Sequence, residues 1–266
     1  MPLQESPYPI VDIGTNLLGV EQLQRARELN VQPLILTGTD LAGSRKRADL
    51  VRRHPGTLYS TAGIHPHQAK TFSPAVLEEL RQLAQMPGVV AVGETGLDYN
   101  RNFSSPAQQR ASFRAHVQLA AELDLPLFCH EREAHADFVA VLDEFPRLPP
   151  VIVHCFTGER PELHDYVQRG YYIGVTGYLG MQRRGAALRE FLAAEVPLER
   201  LMIETDAPYM APDAARPHIG RNNAPFTLPL VLDVVALLYG MDRADTARRL
   251  TQTTVEVFRL QAVHQS

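Results

Sequence analysis

Eight short apolar runs, each rich in β-branched residues and each followed by an amphipathic, charged stretch, constrain this chain more than any other feature. They are Ile10 to Ile13, Pro33 to Thr37, Leu58 to Gly63, Val89 to Gly93, Pro126 to Cys129, Val151 to Val153, Tyr171 to Val175 and Leu201 to Ile203. This alternation is what a parallel sheet with crossover helices produces. Spread over the chain, the runs recur about every 33 residues, enough for one strand, one helix and two short loops, which is the repeat of a (β/α)8 TIM barrel. A closed barrel of this length is one domain, so the expected organisation is a single domain spanning 1–266. No linker, low-complexity tract or charge block marks a second one.

The helices carry their own punctuation. Ser73 and Ser105 stand at N-cap positions with proline next to each, and Gln108 completes a capping box after Ser105. Pro87-Gly88 and Gly170 are stop signals ahead of the next strands. Beyond the eighth run, Leu228 to Leu238 supplies the last barrel helix, and Asp242 to Leu260 reads as an extra amphipathic helix covering apolar surface. The segment from Ala211 to Pro225 is the longest irregular stretch.

A formal net charge of -4 excludes the extended basic surface that non-specific duplex binders use, so any nucleic acid bound here is held locally. There is no basic segment followed by an apolar one at the start, and no apolar run approaches the ~20 residues needed to span a bilayer. A soluble, cytoplasmic, monomeric protein without a membrane partner is expected. The two cysteines, Cys129 and Cys155, each lie beside a histidine of interest, and two are too few for a disulfide framework.

In a parallel barrel the chemistry collects at the C-terminal ends of the strands. Here the fourth run ends GETGLD with Glu94, the fifth CHERE with His130, the sixth HCFTG with His154, and the eighth ETDAP with Glu204 and Asp206. Each residue alone reads equally well as a hydrogen-bonded polar group of a barrel mouth. Two imidazoles and two or three carboxylates converging on one small volume would repel or stay unsatisfied without a cation, so a bound divalent metal is expected. Strand alternation then turns Cys129 and Cys155 toward the helices, buried and inert, and puts Glu204 and Asp206 on one inner face with Asp206 nearer the mouth. The third run ends GIHPH, where His65 and His67 are open to metal binding, phosphate binding or loop support; a substrate-side role is the reading adopted. Arg101, Arg132 and Arg221, with Arg183 and Arg184, lie on loops at the same end and favour an anionic substrate. His54, His116, His164 and His264 read as ordinary helix or loop residues.

GETGLD, CH at the fifth strand, HCFTG and ETDAP, in this order, resemble the TatD family of metal-dependent nucleases. STAGIHPH before them and RNNAP after them extend the likeness over nearly the whole chain. The resemblance implies an amidohydrolase-like barrel that hydrolyses phosphodiester bonds, commonly with magnesium, with metal ligands at Glu94, His130, His154 and Asp206. Most relatives also carry an H-x-H motif closing the first strand, where this chain has Gly14 and Asn16. That departure resembles the branch acting as a 3′-to-5′ exonuclease on single-stranded DNA, or RNA. One or two ions are expected, with Mg2+ favoured over Mn2+ or Zn2+, and Asp206, Glu94 and Glu204 are the candidate catalytic carboxylates. His65, His67, Arg101, Arg132 and Arg221 are the candidate substrate contacts. Two rival readings stand beside this one: a metal-dependent amide, ester or lactone hydrolase on the same barrel, and a non-catalytic nucleic-acid-binding barrel.

Overall fold

A computed structural model describes residues 3–16 and 19–261; His264 lies outside the described residues. Strands and helices alternate in the order β1 (Ile10–Thr15), α1 (Val20–Glu28), β2 (Val31–Leu36), α2 (Leu41–Arg53), β3 (Leu58–Ala62), α3 (Pro74–Ala84), β4 (Val89–Asp98), α4 (Pro106–Leu123), β5 (Leu127–Arg132), α5 (His135–Asp143), β6 (Val151–Val153), α6 (Arg160–Gln168), β7 (Tyr172–Val175), α7 (Ala186–Glu195), β8 (Leu201–Ile203), α8 (Leu228–Tyr239) and α9 (Arg243–Phe258). All eight apolar runs form strands. The caps act as the sequence predicts: Ser73 Oγ accepts from the Val76 N–H, and Ser105 Oγ accepts from the Gln108 N–H while Gln108 Oε1 accepts from the Ser105 N–H. Among the described residues no single helix is long and apolar enough to cross a membrane.

The chain forms two compact units, Thr37–His154 and the combination of Met1–Leu36 with Cys155–Ser266. In the first, β3, β4, β5 and β6 pair in that order, all parallel. Every residue of β4 is buried, as expected of a parallel strand covered on both faces. Helices α4 and α5 close over the sheet through the stacked rings of Phe113 and Phe138, 5.0 Å apart.

β4 outruns its apolar segment. The sequence predicts Val89 to Gly93, whereas the strand continues to Asp98. Gly93 and Gly96 make this possible, with φ of 136° and 133°. A Cβ at Gly93 would overlap the Phe128 carbonyl oxygen of β5, and one at Gly96 that of His130. Only glycine lets the two backbones approach this closely. The register therefore carries past the core, with Gly96 opposite His130 and Asp98 opposite Arg132.

In the second unit β7 pairs with β8 and β1 with β2, again parallel. Past the ends of β8 and β1, the Asp206 N–H donates to the Gly14 carbonyl and the Asn16 N–H to the Ala207 carbonyl, both at 2.8 Å. Helix α9 packs as the extra C-terminal element. It is capped by Asp242, buries Leu250, Val257 and Phe258, and is tied to the start of β1 by Thr251 Oγ1 donating to the Pro9 carbonyl at 2.6 Å.

Candidate metal centre and active site

The ends of β3, β4, β5 and β6 bring three imidazoles around one carboxylate oxygen. Glu94 Oε1 lies 2.8 Å from His154 Nε2, 3.2 Å from His130 Nδ1 and 3.3 Å from His65 Nε2. His65, Glu94 and His130 each offer one ligand atom, and those atoms lie within 4.8 Å of one another. Glu94 is buried. Burial pushes its carboxyl up, but the surrounding imidazoles of His154, His65 and His130 outweigh this and hold it well below the usual carboxylate range.

Asp98, at the end of β4, clasps the group from the other side. Its Oδ2 lies 2.7 Å from His67 Nε2 and 3.2 Å from His130 Nε2, and its Oδ1 accepts from the Arg101 N–H at 2.9 Å. Burial raises this carboxyl too, and the hydrogen bonds from His130, Arg101 and His67 bring it below its ordinary value. His130 thus stands between two carboxylates. Burial lowers its pKa, Asp98 and Glu94 more than restore it, and the net direction is upward; in His65 burial wins and the direction is downward.

This arrangement tests whether a metal fits. A neutral imidazole has one N–H, so His130 cannot donate to Asp98 and Glu94 together. It either takes a second proton or gives its Nδ1 lone pair to a cation shared with Glu94 and His65 while Nε2–H donates to Asp98. The latter is how metal-ligating histidines are commonly oriented. The donor set of imidazole nitrogens and a carboxylate suits a divalent ion.

The remaining sequence-predicted residues fall as follows. Asp206 is partly exposed just past β8, with φ of 49°. Its Oδ1 accepts from Asn16 Nδ2 at 3.2 Å, and its Oδ2 lies 3.7 Å from Cys155 Sγ. Glu204 is fully buried and accepts the Cys155 N–H at 2.5 Å, the deeper placement expected of it. Arg101, Arg132 and Arg221 are exposed. His65 and His67 lie against Glu94 and Asp98. Cys129 is buried within β5, as alternation predicts. Cys155 departs from the prediction, because β6 ends at Val153 and a left-handed turn at Cys155 (φ 48°) directs its thiol to Asp206.

Sequence reasoning missed three carboxylate- or histidine-based features. Asp98 sat unremarked in GETGLD; had β4 been read to its end, alternation would have put Glu94 and Asp98 on one face. Asp12 is fully buried in β1, accepting from the N–H groups of Thr205 (2.9 Å) and Gly14 (3.3 Å), with Thr205 Oγ1 2.5 Å away. Burial, helped by Glu204, pushes its carboxyl up to about 8 against the pull of those hydrogen bonds. His116, taken for an ordinary helix residue, is fully buried in α4 and accepts the Ile64 N–H beside His65.

A family model described as TatD related DNase matches residues 13–259. The chain belongs to the TatD family. It is 43% identical over 258 residues to the 3′-5′ ssDNA/RNA exonuclease TatD of Erwinia tasmaniensis, covering 94% of this chain and 99% of that one. To the enzyme of the same name from Salmonella typhimurium it is 45% identical over 240 residues, 87% of this chain and 92% of the other. Among solved structures, a TatD homologue of Escherichia coli K12 superposes with a TM-score of 0.84 at 28% identity, covering 95% of this chain and 98% of that one. The TatD fold here is accordingly the (β/α)8 TIM barrel, as the strand–helix alternation predicts.

Proposed function

We propose that this TatD-family chain is a metal-dependent 3′-to-5′ exonuclease that hydrolyses phosphodiester bonds at the ends of single-stranded DNA or RNA. The observation that carries the reading is His130 held between Glu94 and Asp98, with His65 and His154 against the same Glu94 oxygen. Family membership turns this candidate metal centre toward phosphodiesters. When bound, a divalent cation would supply positive charge to the phosphoryl oxygens and lower the pKa of water.

The chain's own residues do the rest. Glu94, His65, His130 and His154 hold the ion, and Asp98 fixes the ring of His130 through its Nε2. Asp206, assigned on its ETDAP motif, takes the proton from the water whose oxygen bonds to phosphorus as the bridging P–O bond breaks and the leaving oxygen takes a proton from solvent. Asn16 and Cys155 hold the Asp206 carboxylate for that task. Arg101, Arg132 and Arg221 contact neighbouring phosphates. A monomer working in the cytoplasm belongs to the same proposal.

The test is incubation of end-labelled single-stranded and duplex DNA with Mg2+, Mn2+ or EDTA, comparing wild type, Glu94→Ala and Asp206→Ala. Metal-dependent shortening of the single strand from its 3′ end, abolished by both substitutions, is expected. Intact DNA under every metal would sink the proposal, and turnover of an ester or lactone panel would replace it.

A further inference from the structure

The loop between β4 and α4 exposes a large aromatic side chain that the metal centre does not use. Phe103 is 58% exposed, although the backbone on both sides of it is firmly held. Before it, Asn102 Nδ2 donates to the Tyr99 carbonyl at 2.6 Å. After it, Ser104 Oγ accepts from the Lys70 N–H and donates to the His67 carbonyl. The buried Gln109 amide donates to the carbonyls of both Asp98 and Ser104. A held loop thus presents an aromatic ring to solvent, where it can meet a ligand.

The rings beside it point to which one. His130, His65, His67 and Phe103 form a continuous row of rings with successive centroids 4.6, 4.3 and 4.9 Å apart. The row starts at the ligand candidates and ends at Phe103, set edge-to-face against His67 at 87°. Two ring contacts therefore separate Phe103 from His65. Arg101, exposed two residues before the ring, carries a guanidinium able to reach phosphate. An aromatic face stacks on any base, which suits an enzyme that must accept each nucleotide in turn.

We propose that Phe103 is a stacking platform for a nucleobase at the end of the single strand, seating the nucleotide whose phosphate lies at the His65–Glu94–His130 group. The inference rests on the exonuclease reading and adds to it a base-binding subsite. Because the ring and its backbone are ordered beforehand, stacking contributes chiefly to substrate binding.

The experiment measures KM and kcat of the full chain with Mn2+ on two single strands, one natural and one with abasic residues at the last two positions. Wild type should show a KM about 5- to 150-fold higher on the abasic strand. Phe103→Ala should raise KM on the natural strand by a similar factor, leave kcat within about twofold, and no longer distinguish the two strands. Phe103→Trp should restore the distinction, which a merely structural role would not do. An active wild type whose Phe103→Ala variant keeps the native KM, or still discriminates against the abasic strand, would overturn the platform alone. A wild type that degrades no strand would overturn the exonuclease reading and the platform with it.

Discussion

His116 should make the folded state sensitive to acid, and its surroundings give the sign of the effect and its order of magnitude. Its Nδ1 lies 2.7 Å from the Ser112 carbonyl, so that nitrogen carries the proton; its Nε2 accepts the Ile64 N–H at 3.2 Å. Protonating Nε2 would set a donor against a donor inside the core. Burial lowers the imidazole pKa to about 4, only partly offset by the bond to Ser112. In the unfolded chain it returns to about 6.5. Between these values the unfolded state binds the extra proton, so stability is fully present above pH ~6.5 and is lost as pH falls toward 4. The loss amounts to about 2 kcal/mol by pH 5 and about 3 kcal/mol by pH 4. Urea unfolding in EDTA at steps from pH 7.5 to 4.5, for wild type and His116→Gln, isolates this one group, since every other titration is common to both. The glutamine variant is expected to be about 1–2 kcal/mol less stable at pH 7.5, with the gap shrinking by about 2 kcal/mol at pH 5. A gap that stays constant across that range, or widens, would refute the neutral buried tautomer.

Three further outcomes follow from the same geometry. Asp98→Asn should weaken Mn2+ binding about 10- to 100-fold in a calorimetric titration while the fold survives, because it removes the carboxylate that orients His130; unchanged affinity would mean that Asp98 does not orient a ligand. Asp12→Asn should flatten the stability profile between pH ~4 and pH ~8. The wild-type carboxyl, raised by burial to about 8, must stay protonated in the fold while the unfolded chain ionises near 3.8, so its stability contribution is present below pH ~4 and drains away toward pH 8. Wild type then loses up to about 1.4 kcal/mol per pH unit relative to the variant, and parallel urea-unfolding curves would contradict this. Gly96→Ala should cost more than ~3 kcal/mol by thermal or urea unfolding, since it combines a φ of 133° with overlap on the His130 carbonyl oxygen; a near-native melting temperature would show that β4 and β5 can part without penalty.

How much of the site was legible depended on how local each signal was. Glu94, His130 and His154 could be found because each directly follows an apolar run, and where such a run stops is legible in the sequence. His65 carried the same kind of mark in GIHPH but was read as a substrate contact. Its choice of partner depends on the turn after β3, where its N–H donates to the Thr39 carbonyl and its ring meets Glu94. Asp98 was hidden because the apolar run ends five residues before the strand does. Cys155 was misplaced because alternation was extended one turn beyond β6.

The sequence by itself determined the eightfold βα alternation, the helix caps at Ser73 and Ser105, and the motifs that place the chain among the TatD nucleases. These follow from hydrophobic periodicity and short-range hydrogen bonding, which act within a few residues. Only the tertiary structure decided that three imidazoles share one Glu94 oxygen, that Asp98 holds His130 in place, that the Cys155 thiol meets Asp206, and that Phe103 ends a row of rings. Those outcomes depend on strand register, left-handed turns and backbones in contact at Gly93 and Gly96, all of them relations between residues far apart in the chain.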